Sequence, residues 1–371
     1  MTSTPRHTTL HPEHAELGAS FTDFGGWDMP LKYGSELAEH RAVREAAGLF
    51  DLSHMGEIRV SGPDAAAFLN TALVGNLAVV AVGRAKYSLI CDADGGIIDD
   101  LITYRLGDEE FLVVPNAGNA PTVAAEFAAR AAGFDVTIVD ESADTSLIAV
   151  QGPASVAILH QLVPAEQHGV VTDMKYYSAA PVTVAGLEVL LARTGYTGED
   201  GFELYVPNTS AAELWRALLG AGEGHGLIPA GLAARDSLRL EAGMPLYGNE
   251  LSRDITPFEA GLGPVVSFKK DEQFVGRAAL EARREAAPTR VLVGLVGAGR
   301  RAGRAGYPVL AGEQQIGEVT SGQPSPTLGY PIALASIDPA YAEPGTELSV
   351  DLRGKPETFT VVKTPFYRRA Q

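Results

Sequence analysis

Cysteine is almost missing: Cys91 is the single one in 371 residues. That excludes an internal disulfide framework and any metal cluster built on several thiolates of one chain. Cys91 lies in the run YSLIC and reads as a small buried hydrophobe. Long apolar runs are lacking too, and none approaches the about eighteen consecutive residues that a membrane-spanning helix needs. Basic charge is scarce, with 29 Lys and Arg against 46 Asp and Glu for a formal net charge of -17. Nonspecific nucleic-acid binding, which neutralises phosphates with Lys and Arg, is therefore not expected. A local basic patch can still steer an acidic partner. The dense stretch GAGRRAGRAG, residues 297–306, reads either as a docking surface or as a solvated glycine-rich loop; Lys269-Lys270 is a further docking candidate. The opening MTSTPRHTTLHPEHAEL has no apolar signal-peptide core and carries acids that transit peptides avoid, so a cytoplasmic protein is expected.

Several chemical signatures are missing as well. No Walker loop, HExxH or GxSxG occurs. Glycines 297, 299 and 303 are spaced one residue too far for a dinucleotide fingerprint, and no helix pattern follows them. His11-x-x-His14 puts two imidazoles on one helix face, but Pro12 stands between them and no third ligand is evident. No metal is expected from that pair.

What is present is an ordinary globular composition, 46% hydrophobic and 20% charged, at a length suited to two or three domains. An internal repeat organises it. Val60-Ser61-Gly62-Pro63 leads into DAAAFL, and Val150-Gln151-Gly152-Pro153 leads into ASVAIL, 90 residues later. Proline in the first turn of each helix fits, because its missing N–H would be unpaired there. Val114-Pro115-Asn116 and Val206-Pro207-Asn208 close apolar strands at an offset of 92, and a helix follows both. The second of these helices reads as opening with a capping box, Ser210 to Glu213. The expected fold is α+β: two similar modules of antiparallel strands and helices, about 50–140 and 145–245, within a region 1–280. A duplication of this kind invites a ligand site where equivalent loops of the two halves converge.

Residues 229–243 read as a helix ended by glycine, and 283–290, RREAAPTR, as a linker. From Val291 the pattern turns to short β runs punctuated by Gly and Pro, which predicts a small β-barrel or sandwich over 288–371.

Acids interrupt two apolar strands. In GGIIDDL, alternation sends Asp99 and Asp100 to opposite faces, so one of them faces inward. A carboxylate in a covered cleft is costly without a partner or ligand. In TGYTGEDGFEL, Glu203 stands between Phe202 and Leu204. Arg235, on the following helix, is either its partner or an ordinary surface ion-pair residue.

These segments, with FGGWDMPLKYGS, FDLSHMGEIRVSGPDA, GLAARDSLRLEAGMPLYGNEL and VTSGQPSPTLGYPIALA, resemble the T-protein family of the glycine cleavage system. The resemblance runs in order from about residue 20 to the C-terminus. It implies three domains in a cloverleaf around a folate channel. The implied reaction takes an aminomethyl group from the dihydrolipoyl arm of H-protein and forms 5,10-methylenetetrahydrofolate and ammonia. The implied acceptor is tetrahydrofolate, without flavin or metal. The implied partners are lipoylated H-protein with the P- and L-proteins of the same system. Residue by residue, Asp100 would be the essential carboxylate near N5 and N10 of the folate. Asn116, Glu203 and Arg235 would contact the folate, Glu203 reading the pterin amino edge. Tyr87, Tyr104, Tyr177, Tyr196, Met55 and Tyr367 would wall the pocket. A folate-dependent demethylase or methyltransferase of the same superfamily is the alternative. The flavin-linked oxidases of that superfamily would need a preceding flavin domain, and the paralogue tied to iron–sulfur maintenance would need a cysteine motif that is absent.

Overall fold

The computed structural model describes residues 5–369. They form two compact units: residues 5–69, Leu77–Tyr87 and Leu101–Asp236 in the first, and Asn70–Asn76, Ser88–Asp100 and 237–369 in the second.

The repeat seen in the sequence is a repeat of strand order. One sheet runs Ala85–Cys91, Ile97–Gly107, Glu110–Pro115, Ile58–Ser61, Thr137–Asp140. The other runs Ala179–Val184, Leu187–Ala192, Gly201–Pro207, Thr145–Gln151, Ala47–Asp51, Leu227–Pro229. Without Ala47–Asp51 the two orders coincide. That extra strand wedges in antiparallel to Thr145–Gln151 and parallel to Leu227–Pro229. Register agrees as well, since Val60 pairs with Phe111 and Val150 with Phe202.

The glycine of each V-x-G-P is obligatory. Gly62 and Gly152 have φ of +129° and +136°, and a Cβ on either would lie 2.5 Å from a backbone oxygen, of Asp135 or Ala46. The prolines stand in the turn two residues ahead of helices Ala65–Ala72 and Ser155–His160, not in the first helical turn as expected. The turn closes instead by bonds from Ala65 and Ser155 N–H back to the two glycine carbonyls, at 3.0 and 3.1 Å.

Two other expectations need correction. The helix Asn208–Gly222 begins before Ser210, so Ser210 lies inside its first turn and caps nothing. Asn208 fixes that start, accepting from Ser146 Oγ at 2.6 Å and donating to the Ala143 carbonyl at 2.7 Å. The helix expected over 229–243 spans Leu232–Glu241, because Pro229 closes the strand Leu227–Pro229. Its glycine stop holds: Gly243 at φ +67° and Met244 bond back to Leu240 and Arg239, each at 2.9 Å, the paired bonds of a Schellman end. Of the expected linker, residues 283–285 continue the helix Arg277–Glu285.

In the first unit, Leu49, Val150, Phe202, Leu204 and Trp215 are all fully buried in one core beneath helix Asn208–Gly222. Each such side chain contributes about 1.5–3 kcal/mol by leaving water. In the second, six strands close a barrel in the order Val291–Gly297, Pro331–Ile337, Gln314–Pro324, Pro308–Ala311, Glu347–Asp351, Pro356–Val362. Closure removes the unpaired sheet edges, and Leu295, Val350 and Phe359 fill the interior. Among the described residues, no helix is long and apolar enough to cross a membrane.

Candidate functional site

Glu203 belongs to Gly201–Pro207, between small neighbours: it pairs with Ala149 on one side and Ala192 on the other. Phe202 and Leu204 turn to the core, so alternation sends Glu203 and Tyr205 to the opposite face. Thr194 Oγ1 donates to Glu203 Oε2 at 2.5 Å, and the Tyr104 hydroxyl lies 3.3 Å from the same oxygen and 2.8 Å from Thr194 Oγ1. Tyr205 donates to Tyr104 at 3.4 Å. Burial raises the Glu203 carboxyl above its ordinary value despite the Thr194 bond, the Arg235 charge and the Tyr104 bond. Burial, and next the Glu203 charge, also pushes the Tyr104 hydroxyl well up.

Arg235, from helix Leu232–Glu241, holds its guanidinium 4.8 Å from the Tyr196 ring centre, a cation–π distance. It also lines a small pocket with Met29, Asp51, Leu52 and Gly231. The loop that presents Tyr196 is tied down from several sides. Gln151 donates to the Thr194 carbonyl at 3.0 Å and accepts from Thr197 at 2.9 Å. Arg44 reaches the Thr197 carbonyl at 2.7 Å and Glu199 at 3.0 Å, and Arg193 grips both oxygens of Asp200 at 2.9 and 2.6 Å. A Cβ at Gly195 would lie 2.0 Å from Gln151 Oε1, which is why this turn takes glycine there. The G-Y-T-G-E-D-G run thus folds into a rigid platform, not a flexible tether.

Tyr177 has a left-handed backbone, φ +61°, and bridges strands by bonds to Arg193 O at 3.0 Å and from Ala85 N at 2.9 Å. Such a conformation costs a bulky residue about 1–3 kcal/mol and marks a constrained place. It lies close enough to Tyr104 to interact with its hydroxyl electrostatically. Tyr104, Tyr177, Tyr196, Glu203 and Arg235 are therefore brought into one neighbourhood of the first unit. Met55 and Asn116 are half-buried in the same unit. The Asn116 carbonyl accepts from Asn119 and Ala120, each at 2.9 Å, and so starts helix Ala120–Arg130. Tyr87 is half-buried on Ala85–Cys91.

Asp100 and Tyr367 belong to the second unit. Asp99 is the inward acid of the pair, fully buried, while Asp100 is half-buried. The preceding turn is pinned by Ile97 N–H to the carbonyls of Ser252 and Ile255, at 3.2 and 3.1 Å. Tyr247 donates to the Ile97 carbonyl at 3.1 Å, and burial, then the charges of Asp99 and Asp100, push its hydroxyl up against the pull of Arg253. Tyr367 N–H bonds to the Glu241 carbonyl at 2.8 Å. The Glu241 carboxylate holds Ser325, and Thr327 by N–H at 3.0 Å and hydroxyl at 2.7 Å.

Sequence reasoning missed Thr194, Tyr205, Tyr247 and His54. The first stands directly before GYTGED and the last two inside quoted segments, but nothing in one sequence marks which polar residue of a run turns inward. His54 is buried, with neither ring nitrogen hydrogen-bonded among the described residues. Burial, and next the Arg235 charge, lowers it to about 4, so the ring is neutral at physiological pH. Lys270 is no docking residue: it is buried and donates to the carbonyls of Leu73 and Gly75 at 2.5 and 2.7 Å. In the stretch 297–306, Arg301 Nε bonds Glu357 at 2.7 Å.

A carboxylate with internal donors on one oxygen, a cation over an aromatic ring and an adjoining pocket are the parts of a site for a flat, polar-edged ligand. Comparisons with known proteins identify the class. Residues 10–270 match the model of the GCVT N-terminal domain, and 290–368 that of the glycine cleavage T-protein C-terminal barrel domain. The chain belongs to the glycine cleavage T-protein family. It is 60% identical to the aminomethyltransferase of Streptomyces avermitilis and 61% to that of Streptomyces coelicolor, over 98% of both chains in each case. Among solved structures it is similar to the glycine cleavage system aminomethyltransferase T of Bartonella henselae, with TM-score 0.91, 38% identity and 98% of both chains covered.

Proposed function

We infer that this protein is the aminomethyltransferase of a glycine cleavage system, with tetrahydrofolate as acceptor and the aminomethyl-loaded lipoyl arm of H-protein as donor. The observation that carries the folate assignment is the Glu203 cluster. Thr194 and Tyr104 converge on Oε2, and Oε1 is the oxygen that would accept from the donor-rich edge of a pterin. Arg235 stacked on Tyr196 supplies a flat wall beside it. Tyr87, Tyr177, Met55, Asn116 and Tyr367 serve as further pocket walls and contacts. The P- and L-proteins and a cytoplasmic location follow from the same reading.

The donor carries S–CH2–NH3+. Folate N5 bonds to the methylene as the C–N bond breaks; N10 then bonds to it as the C–S bond breaks. The two N–H protons of the folate end on ammonia and on the released thiolate, so atoms and charge balance. Positive charge builds on the migrating carbon throughout. Asp100 stabilises it by electrostatics and orientation, without a covalent bond, and relays a proton.

A coupled assay with loaded H-protein and tetrahydrofolate tests this by following ammonia and methylenetetrahydrofolate together. Asp100→Asn should lower turnover by about 100-fold or more while folate still binds. Near-normal turnover in that variant would remove Asp100 from its role. Folate binding without ammonia release by the wild type would favour another donor within the superfamily.

A further inference from the structure

We propose that His7, His11 and Asp28 form a site for a divalent transition-metal ion of the zinc class, on the surface of the first unit. Their ligand atoms lie within 4.8 Å of one another. His11 Nε2 is 3.0 Å and His7 Nε2 3.8 Å from the same oxygen, Asp28 Oδ2. A tetrahedral zinc site with arms of about 2.0–2.1 Å has edges of about 3.3 Å, so the triangle is near the size that an ion needs. Two imidazoles and a carboxylate are the donor set for zinc, nickel or copper, whereas calcium and magnesium select oxygen.

The backbone that carries the three residues is held before any ion arrives. The two rings stack in parallel, centres 3.8 Å apart and planes within 4°; because each Nε2 lone pair lies in its own ring plane, the exposed His7 ring turns out of the stack to share an ion with His11. Phe21 covers the other face of His11 at 4.5 Å. Arg6 N–H bonds to the Gly26 carbonyl at 2.9 Å and Asp28 N–H to the Arg6 carbonyl at 2.8 Å, which zips the segment bearing His7 onto the strand Trp27–Lys32. Arg6 also lies over the Trp27 ring at 4.2 Å. His7 is 53% exposed, so an ion has an open path and water can fill the remaining positions.

The site is not the pair weighed in the sequence. His14 is committed elsewhere, its Nε2 to Asp51 and its Nδ1 to the Tyr33 hydroxyl, each at 2.8 Å. His11 gains its partners from residues four and seventeen positions away, a convergence that only the hairpin Ser20–Phe24 and Trp27–Lys32 creates. A second stacked pair, His160 and His168, makes a useful control. Its rings are 4.3 Å apart, but one bonds Thr172 and the other the Val163 carbonyl.

The test is calorimetric titration of the untagged full-length chain with zinc chloride at pH 7.5 in a non-chelating buffer. One ion should bind at about 10 µM or tighter, with raised thermal midpoint, because an ion that binds only the folded state stabilises it. His7→Ala, whose site is exposed, and Asp28→Asn should each weaken it about tenfold or more with unchanged circular dichroism. His168→Ala should bind as wild type, and magnesium should not compete. Affinity unchanged in both ligand variants, loss in His168→Ala, or no binding below about 1 mM in the wild type would each overturn the proposal.

Discussion

The two modules share a strand order, yet they differ at the positions that matter most. The paired registers make Leu112 of the first the counterpart of Glu203 in the second: Leu112 lies opposite Arg59, and Glu203 opposite Ala149, 90 residues on. In the first module the position is an apolar side chain at 2% exposure. In the second it is the carboxylate at the centre of the candidate site. The reverse holds one strand away, where buried Glu57 of the first module corresponds to buried Leu147 of the second. The scaffold is laid down twice, and polar residues appear where the copies diverge. The inserted strand Ala47–Asp51 extends that divergence. It ends in Asp51, where burial pushes the carboxyl up but bonds and charge from His14, with Thr8 and Ser53, bring it below its ordinary value.

The strongest way to probe what the copies share is to add one methyl group to each repeat glycine. Gly62→Ala and Gly152→Ala both force a side chain into a backbone oxygen at a φ that only glycine tolerates. Each should cost about 3 kcal/mol or more. Gly152→Ala should be the worse of the two, because its Cβ also meets Val43 O at 2.7 Å and Ala47 Cα at 2.8 Å beside the inserted strand. Urea midpoints measure both, and an equal or reversed order would show that the insertion adds no crowding.

Glu203→Leu makes the second module resemble the first. Folate affinity, read by calorimetry, should fall by about 100-fold, the worth of charge-assisted bonds to a ligand edge. Stability should not fall with it. Since burial raises the folded carboxyl, its contribution is full below the ordinary glutamate value and is lost as pH rises through the raised one. Unchanged folate affinity would move the pterin edge elsewhere.

Much of this was legible in the sequence, for reasons that differ by element. The repeat could be read because V-x-G-P encodes a backbone constraint, and the drift of offset from 90 to 92 is spread along the strands: Phe111 and Phe202 stand 91 apart. Glu203 could be read because it is the one acid in an otherwise apolar strand. The barrel was legible from short β runs, although Pro308–Ala311 carried too little pattern to be seen. The start of helix Asn208–Gly222 was misread because Ser210 and Glu213 mimic a cap, while the residue that holds the start, Asn208, bonds to Ser146 and Ala143 more than sixty positions earlier. The His7–His11–Asp28 cluster was invisible for the same reason. Its spacing is set by a hairpin, and one-dimensional motifs report only spacing along the chain.

The smallest effect, and the sharpest on the comparison, is expected at Glu57. It is fully buried, and neither carboxyl oxygen has a hydrogen-bond partner among the described residues. Burial, then the charges of Asp140 and Glu141, raise it well above its ordinary value, which favours the protonated form. A raised acid contributes its full share of stability below the ordinary glutamate value and loses it as pH climbs through the folded one. Glu57→Leu imports the residue that the second module uses at the equivalent place and removes two unpaired buried polar atoms. It should therefore stabilise the chain by about 1–2 kcal/mol at pH 7, with the gain growing at pH 9 and shrinking toward pH 5. Urea denaturation at the three pH values measures the trend. A loss of stability at every pH would mean that the first module depends on its acid, and the two copies would then differ by a requirement of the fold and not only by where polar chemistry was placed.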